Sequence, residues 1–247
     1  STKRITVKGG ISLSNVTFRY KPELPTVLKN VSLTIRPGES VAIVGPSGAG
    51  KSTLLRLLLG FDQPEQGVVA YDGQDLARLT HRFLRHQVGT VLQQTSLFPA
   101  TIGDNIRGAT NATQKEIWAA AAKAGVEQDI RKMPMKLQTL VGHGSSSLSG
   151  GQEQRILIAR ALVGQPKILL FDEATSALDN VTQQHVADSL AELNITRILI
   201  AHRLSSIRTA DRIIVMNHGR IEQVGTFDEL TSADGLFARL ASRQLLT

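Results

Sequence analysis

The chain has 247 residues, enough for one large domain or two small ones and for a substantial core. Aromatic residues make up only 4% of it, so the core is predicted to be aliphatic. It contains no cysteine, which excludes disulfides, thiolate metal sites and thiol nucleophiles. The formal net charge of +7 comes from scattered basic residues, which favours a solvated surface near anionic lipid over a nucleic-acid groove. No apolar stretch approaches the roughly 20 residues that a membrane span requires.

Short alternating segments and turn signals fill the N-terminal part of the chain. Residues 11–44, together with 67–73, are predicted to form antiparallel strands, with turns at pairs such as Asp72-Gly73. Residues 41–44 end this zone as a continuous apolar run. Such a run is typical of a strand that is buried on both faces of a parallel sheet.

A glycine-rich loop, residues 45–53, follows this apolar run and leads into an apolar helix that begins near Lys51. Its glycines let successive N–H groups point at phosphate oxygens, and the helix start adds the positive end of its dipole. Lys51 can reach the β- and γ-phosphates, and the Ser52 hydroxyl can ligate a magnesium ion. A glycine-rich turn without a ligand would share these letters, but the strand before it and the helix after it favour a nucleoside triphosphate site. The residues predicted to bind ATP here are Gly45, Pro46, Ser47, Gly48, Ala49, Gly50, Lys51, Ser52 and Thr53.

Helical signals dominate from residue 113 to residue 162. The segment Leu-Ser-Gly-Gly-Gln at 148–152 opens a helix, and two glycines with a serine at a helix start form a second anion site. One chain then carries two phosphate-binding helix starts, although a nucleotide has only one triphosphate. This predicts a head-to-tail dimer. In it the nucleotide lies between the glycine-rich loop of one chain (residues 45–53, the P-loop) and the Ser149 loop of the other chain.

Strand and helix alternate from residue 167 onward, which predicts βαβ units and a parallel sheet. The apolar strand 168–172 ends in Asp172 and Glu173, a pair that suits magnesium handling and water activation, although helix capping would explain the bare pair equally well. His202 directly follows an apolar strand and can donate a hydrogen bond to phosphate. The other histidines are interpreted as surface residues: His81, His86, His143, His185 and His218.

In this order the motifs resemble those of the nucleotide-binding domain of an ABC transporter, over essentially the whole chain. Residues 45–53 match the Walker A motif, 148–152 the signature motif and 168–172 the Walker B strand. The resemblance implies an α/β fold, namely a P-loop NTPase (RecA-like) core with a parallel sheet, an antiparallel β subdomain and an α-helical signature subdomain at about 94–163. It also implies a single ABC ATPase domain over 1–247, with residues 1–10 as the linker from an upstream membrane domain.

The resemblance further implies the role of each site residue. Tyr20, which its context alone would assign equally to surface or core, matches the aromatic residue that stacks on adenine. The implied catalytic residues are Glu173, His202, Gln93 and Lys51. The implied magnesium ligands are Ser52, Gln93 and Asp172. The residues that the partner chain would contribute to the ATP site are Ser149, Gly150, Gly151, Gln152 and Asp179.

Segments such as 101–106 and 201–207 resemble the exporter branch, most closely bacterial exporters of bacteriocin-like peptides. We therefore expect ATP and Mg²⁺ as cofactors, an ATP-bound homodimer, a transmembrane domain of the same or a companion polypeptide, and no nucleic acid. The isolated domain is expected to be soluble and to act at the cytoplasmic face of a bacterial inner membrane. Segment 141–147 departs from the exporter pattern, which puts coupling through that contact in doubt. Three alternatives are a soluble ABC ATPase acting on nucleic acid or ribosomes, an importer ATPase subunit and a non-hydrolysing regulatory module.

Overall fold

The computed structural model describes residues 7–79, 87–92, 95–142, 148–172 and 180–244. These residues form two units. The first unit contains the described residues up to 79 and from 195 onward, and the second contains those between 87 and 194.

Both units contain strands and helices. The strands are β1 (Ile11–Phe18), β2 (Leu28–Ile35), β3 (Ser40–Val44), β4 (Gln66–Tyr71), β5 (Gln74–Asp75), β6 (Val88–Val91), β7 (Ala100–Thr101), β8 (Leu140–Val141), β9 (Ile168–Asp172), β10 (Thr196–Ile200), β11 (Arg212–Asn217) and β12 (Arg220–Gly225). The helices are α1 (Lys51–Leu58), α2 (Ile102–Arg107), α3 (Gln114–Lys123), α4 (Glu127–Lys132), α5 (Gly150–Leu162), α6 (Asn180–Ala191), α7 (Leu204–Arg208), α8 (Phe227–Ser232) and α9 (Leu236–Gln244). Short 3-10 helices cover Leu76–Arg78 and Lys136–Gln138.

An antiparallel sheet forms the N-terminal part of the first unit. Its strand order is β2-β1-β4-β5, and β1 pairs with both β2 and β4. Asp72 and Gly73, with φ of 48° and 76°, turn the chain from β4 into β5. Two left-handed residues in a row are what a tight hairpin turn requires. The prediction of antiparallel strands is therefore confirmed for β1, β2 and β4, and so is this turn.

Strand β3 corrects the interpretation of residues 11–44 as uniformly antiparallel. It runs parallel to both β10 and β11, with Ile43 opposite Ile200 and Ile214. Residues 41–43 are completely buried, as befits a strand in the interior of a sheet. The alternating pattern that predicts antiparallel pairing is confined to β1 and β2, whereas the continuous apolar run of β3 already signals its interior position. Strand β12 then closes this side of the sheet by pairing antiparallel with β11.

The continuous apolar runs differ in how completely they are buried. In β9, residues 168–170 are buried, but Phe171 is only partly so. In β10, Ile198 and Ile200 are buried, while Leu199 between them is partly exposed. The expectation of burial on both faces thus holds fully for β3 and only in part for β9 and β10.

The second unit is organised around helix α5. Its apolar residues at 156–159 and 162 are buried, and α2 and α3 pack against it. Strands β6 and β9 pair in parallel, and β7 pairs antiparallel with β8. Helix α3 begins with a capping box in which Thr113 and Glu116 satisfy each other's backbone N–H groups. The predicted dominance of helices between 113 and 162 is confirmed.

Arg160 of α5 fixes the chain that leads into α2. Its Nε donates to the Asn105 carbonyl oxygen at 2.8 Å and its Nη1 to the Ser96 carbonyl oxygen at 3.1 Å. The guanidinium carbon lies 4.8 Å from the centroid of the Phe98 ring. Burial lowers the pKa of Arg160, and these partners offset that loss of hydration. Asn105 is fully buried, and its amide bonds the backbone of Phe98 and Thr101, so residues 96–101 are held rigidly against α5.

Tyr71 connects the antiparallel sheet to helix α1. Its side chain is buried at the end of β4, and its hydroxyl donates a short hydrogen bond to the carbonyl oxygen of Leu58. Burial raises the pKa of Tyr71, so the hydroxyl stays protonated and remains a donor. The bond satisfies one of the carbonyl groups that a helix leaves open at its C-terminal end.

Replacing Tyr71 by Phe removes this donor from a buried carbonyl group. We expect the free energy of unfolding to fall by about 1–3 kcal/mol, the usual range for a buried group that loses its partner. Urea unfolding followed by circular dichroism measures the change. Tyr20→Phe is the matched control, since Tyr20 is 47% exposed and should lose clearly less stability. Equal losses in the two variants would contradict the role assigned to the Tyr71 hydroxyl.

Candidate nucleotide-binding site

The glycine-rich loop leaves β3 and enters α1 within the first unit. Gly45, Gly48 and Gly50 have φ of 151°, 78° and 102°, a region that L residues rarely adopt. At Gly45 a Cβ atom would lie 2.1 Å from the carbonyl oxygen of Met216, so any side chain would clash with the backbone of β11. Helix α1 begins at Lys51, as predicted. The loop conformation therefore depends on glycine at these positions.

Lys51 lies folded over the loop. Its Nζ donates to the carbonyl oxygens of Gly45 and Pro46, at 2.6 and 2.9 Å, and the residue is only 8% exposed. The first turn of α1 carries no acidic side chain, so the positive end of the helix dipole is not neutralised locally. Ser47 and Ser52 are exposed on the loop and at the helix start. A fixed ammonium group, a helix N-terminus and accessible hydroxyl groups are the groups that bind phosphate.

Tyr20 lies just beyond the end of β1 and contacts α1 directly. Its Oη is 2.8 Å from the Thr53 Oγ1. The ring centroid is 5.0 Å from that of Phe18, with the two planes at 83°. The structure thus brings Tyr20 to the P-loop helix, which its sequence context alone did not establish.

His202 lies at the same edge of the sheet as the P-loop. Strand β10 runs parallel to β3, with Ile200 opposite Ile43, and the Ala201 N–H donates to the Ile43 carbonyl oxygen at 3.1 Å. The residues that follow the two strands, Gly45 and His202, therefore lie at the same edge of the sheet. This is the edge at which α/β proteins bind ligands. His202 is exposed there. His185 and His218 are also exposed, as the sequence predicts, whereas His81, His86 and His143 lie outside the described residues.

Sequence reasoning missed the support that the turn between β11 and β12 gives to the loop. His218 and Gly219, with φ of 47° and 77°, form a tight hairpin turn. The Gly219 N–H donates to the Ala49 carbonyl oxygen at 3.0 Å, and the Lys29 N–H donates to the Gly219 carbonyl oxygen at 2.8 Å. A Cβ atom at Gly219 would lie 2.0 Å from the Val27 carbonyl oxygen. The pair His-Gly between two apolar runs signals a turn, but nothing local indicates that the turn packs under the P-loop.

The second predicted anion site lies at the start of α5 in the second unit. Ser149 and Gln152 form a capping box, with the Gln152 N–H donating to the Ser149 Oγ at 3.1 Å and the Ser149 N–H to the Gln152 Oε1 at 3.0 Å. Ser149 and Gly150 are exposed, and Gly151 is partly so. The Ser149 oxygen acts as an acceptor in this contact, so its O–H can still donate to an anion.

Oxygen ligands for magnesium are present among the predicted residues. Asp172 ends β9 and is 6% exposed, and Ser52 offers a hydroxyl group at the start of α1. Within the described ranges, no group of three or more His, Cys, Asp or Glu residues is arranged to hold a metal. The side chains of Ser52 and Asp172 each carry the kind of oxygen ligand that Mg²⁺ prefers, and this ion usually takes one or two ligands from a protein and the rest from phosphates and water. The predicted residues Gln93, Glu173 and Asp179 lie outside the described residues.

Comparisons with known proteins agree with this geometry. A family model described as ABC transporter matches residues 28–176. The leukotoxin translocation ATP-binding protein LktB of Mannheimia haemolytica is 48% identical over 243 residues, 97% of this chain, and its counterpart in Bibersteinia trehalosi matches equally well. A bacterial Atm1-family ABC exporter with ATP bound has a TM-score of 0.91 and 43% identity, over 97% of this chain and 42% of that chain.

The chain spans 34% of the length of the LktB proteins that it matches. The comparisons confirm the predicted fold class, and the relatives named here are an exporter and translocation proteins, in agreement with the predicted branch. The chain belongs to the ABC transporter family, in which it corresponds to the domain that binds and hydrolyses ATP.

Proposed function

We propose that the chain is the motor of an exporter, in which ATP binding closes a head-to-tail dimer and hydrolysis opens it again. The observation that carries the proposal is the loop from β3 to α1, with three glycines at positive φ and the Lys51 ammonium held across it. The similarity to a bacterial ABC exporter over 97% of the chain supports the assignment to exporters.

Binding begins with the triphosphate at the P-loop. The backbone N–H groups of the loop and of the start of α1 donate hydrogen bonds to the phosphate oxygens, and Lys51 neutralises part of their charge. Ser52 and Asp172 are the proposed protein ligands of Mg²⁺, which supplies charge neutralisation for the β- and γ-phosphates when bound. Tyr20 offers a ring that is 47% exposed as a stacking surface for adenine.

Hydrolysis is assigned to Glu173, Gln93 and His202 on the family resemblance. Glu173 takes a proton from the attacking water, the water oxygen bonds to the γ-phosphorus, and the bond to the ADP oxygen breaks. His202 donates to the γ-phosphate oxygens and so stabilises the charge that develops on them. Release of phosphate removes the group that both subunits of the dimer contact.

The second anion site supports the dimer. Ser149, Gly150, Gly151 and Gln152 form a helix start with a hydroxyl group, in addition to the helix start at Lys51 after the P-loop. We assign this second helix start, together with Asp179, to the γ-phosphate held by the partner chain. ATP then shifts the equilibrium because it binds the closed dimer more tightly than the open form.

The transported cargo and the membrane partner belong to the same proposal. No helix within the described residues is both long enough and apolar enough to cross a membrane. We propose that a transmembrane domain of the same or a companion polypeptide provides the pathway, and that the motor acts at the cytoplasmic face of the membrane. The similarity to leukotoxin translocation proteins supports a peptide or protein as cargo.

Lys51→Ala tests the P-loop assignment. We expect ATP turnover to fall by at least about 100-fold, because the charge that stabilises the phosphates in the transition state is lost. Steady-state phosphate release measures the change. Lys132→Ala is the matched control, since Lys132 is exposed on α4 and should leave turnover unchanged. Normal turnover in Lys51→Ala would overturn the proposed site.

Glu173→Gln separates binding from hydrolysis. The amide keeps the shape of the side chain but cannot accept the water proton, so ATP should bind while turnover falls by about 100-fold or more. The uncleaved nucleotide should hold two chains together, and size-exclusion chromatography with light scattering detects that dimer. The double variant Lys51→Ala with Glu173→Gln should stay monomeric. A Glu173→Gln chain that binds ATP but remains monomeric at high concentration would contradict the shared site.

Mixing two inactive variants tests the head-to-tail arrangement independently. Lys51→Ala damages the P-loop, and Ser149→Arg damages the signature loop, so neither chain alone should hydrolyse ATP. In a mixed dimer both lesions fall in one site and the other site is intact. Random pairing should then restore about a quarter of the wild-type turnover. No recovery on mixing, with both variants folded by circular dichroism, would exclude a site shared between two chains.

A further inference from the structure

The ring of Tyr20 is held at two points although nearly half of its surface is exposed. Its Oη lies 2.8 Å from the Thr53 Oγ1, and its ring makes a nearly perpendicular contact with Phe18. A hydrogen bond at one end and a ring contact restrict both the position and the rotation of the phenol. An exposed aromatic ring with two such restraints is preorganised, so the entropic cost of stacking a ligand on it is smaller.

The backbone around Tyr20 is held as well. Arg19 pairs with Glu65 at 2.7 Å and also donates to the Pro22 carbonyl oxygen at 3.3 Å. The Val27 N–H donates to the Phe18 carbonyl oxygen at 2.8 Å. The Tyr20 backbone is therefore fixed without the hydroxyl contact, so that contact acts on the side chain.

Thr53 links this ring to the phosphate-binding loop. It is the third residue of α1, in the same turn as Lys51 and Ser52, and it is 6% exposed. Its hydroxyl group has little freedom because a Thr side chain in a helix is limited to about two rotamers. The hydrogen bond therefore sets the distance between the aromatic ring and the phosphate-binding loop.

We propose that the Thr53 hydroxyl is a positioning group for Tyr20, which holds the ring where the base of a nucleoside triphosphate meets it once the phosphates are bound. The inference rests on the proposed ATP-binding function. It adds that the Thr53 hydroxyl, by holding the Tyr20 ring, increases the preference of the site for a nucleotide over the bare phosphate chain. Without the bond, the ring must be ordered when the ligand binds. Ordering one side chain lowers affinity by about 2- to 10-fold.

Tyr20→Phe and Thr53→Val test the inference, alone and combined. The dissociation constants of a non-hydrolysable ATP analogue, adenylyl imidodiphosphate, and of tripolyphosphate are measured by calorimetry on the 247-residue chain. The readout is the preference for the analogue, defined as the dissociation constant of tripolyphosphate divided by that of the analogue. A change in the P-loop that weakens phosphate binding would alter both constants alike and leave this ratio unchanged. Each single variant should lose about 2- to 10-fold of that preference, and the double variant no more than either one.

Two further variants sharpen the test. Thr53→Ser retains a hydroxyl group and should restore most of the preference. Tyr71→Phe removes the hydroxyl group of the chain's other tyrosine, which contacts Leu58 in the core, and should leave the preference unchanged. A loss of preference in Tyr71→Phe as large as in Tyr20→Phe would overturn the inference, because the loss would then reflect the lower stability of the fold.

The remaining outcomes separate this inference from the proposed function. An unchanged preference in Tyr20→Phe, a gain of affinity for the analogue, or additive losses in the double variant would each overturn the positioning role while leaving the P-loop assignment intact. A wild-type chain that binds both ligands equally well would show that the ring does not receive the base. A wild-type chain that binds neither would overturn the proposed function and the inference with it.

Discussion

A close approach of three backbone segments underlies the nucleotide site. The P-loop backbone at Gly45 touches the Met216 carbonyl of β11, and the Gly219 turn bonds to Ala49 on one side and to Lys29 on the other. Because these contacts are made by backbone atoms, no side chain can replace the two glycines without displacing a strand. The loop is therefore held in shape by the sheet itself, and ligand binding need not order it.

Lys51 completes that arrangement from inside the loop. The carbonyl oxygens of Gly45 and Pro46 would otherwise present negative potential toward an incoming phosphate. The ammonium group neutralises both and is held in place by them, so the charge is fixed before phosphate arrives. A charge fixed in a poorly hydrated position interacts more strongly with phosphate than one on a free side chain, because little reorganisation is needed.

Local sequence was sufficient for the parts of the site that are continuous along the chain. The order strand, glycine loop, helix at residues 40–58 follows from apolar patterning and glycine placement, and His202 follows from its position after a parallel strand. The parallel pairing of β3 follows from its continuous apolar run, whereas the antiparallel interpretation of the whole zone 11–44 is wrong for this strand. The support from Met216 and Gly219 was missed because it joins segments far apart in sequence.

The same distinction applies to Tyr20. Its sequence context permits a surface or a core position; in the structure the side chain is 47% exposed and contacts Thr53 and Phe18. The hydrogen bond depends on the position of α1, which no local pattern encodes, whereas the ring contact joins residues only two apart in sequence. Gln93, Glu173 and Asp179 lie outside the described residues, so their roles stay predictions that rest on the family pattern.

The signature loop of the second unit shows how one hydroxyl group can serve both folding and function. The Ser149 oxygen accepts the N–H of Gln152, and the Gln152 side chain is in turn held by Asp129 at 3.2 Å. Asp129 pairs with Arg155 at 2.8 Å, and Arg155 also donates to the Gly125 carbonyl oxygen at 2.6 Å. These contacts hold Gln152 in place, and the hydrogen bond from the Gln152 N–H in turn holds the Ser149 oxygen in one rotamer. The O–H proton is then the part of the group that can be directed at an anion, so helix capping orients the donor instead of competing with it.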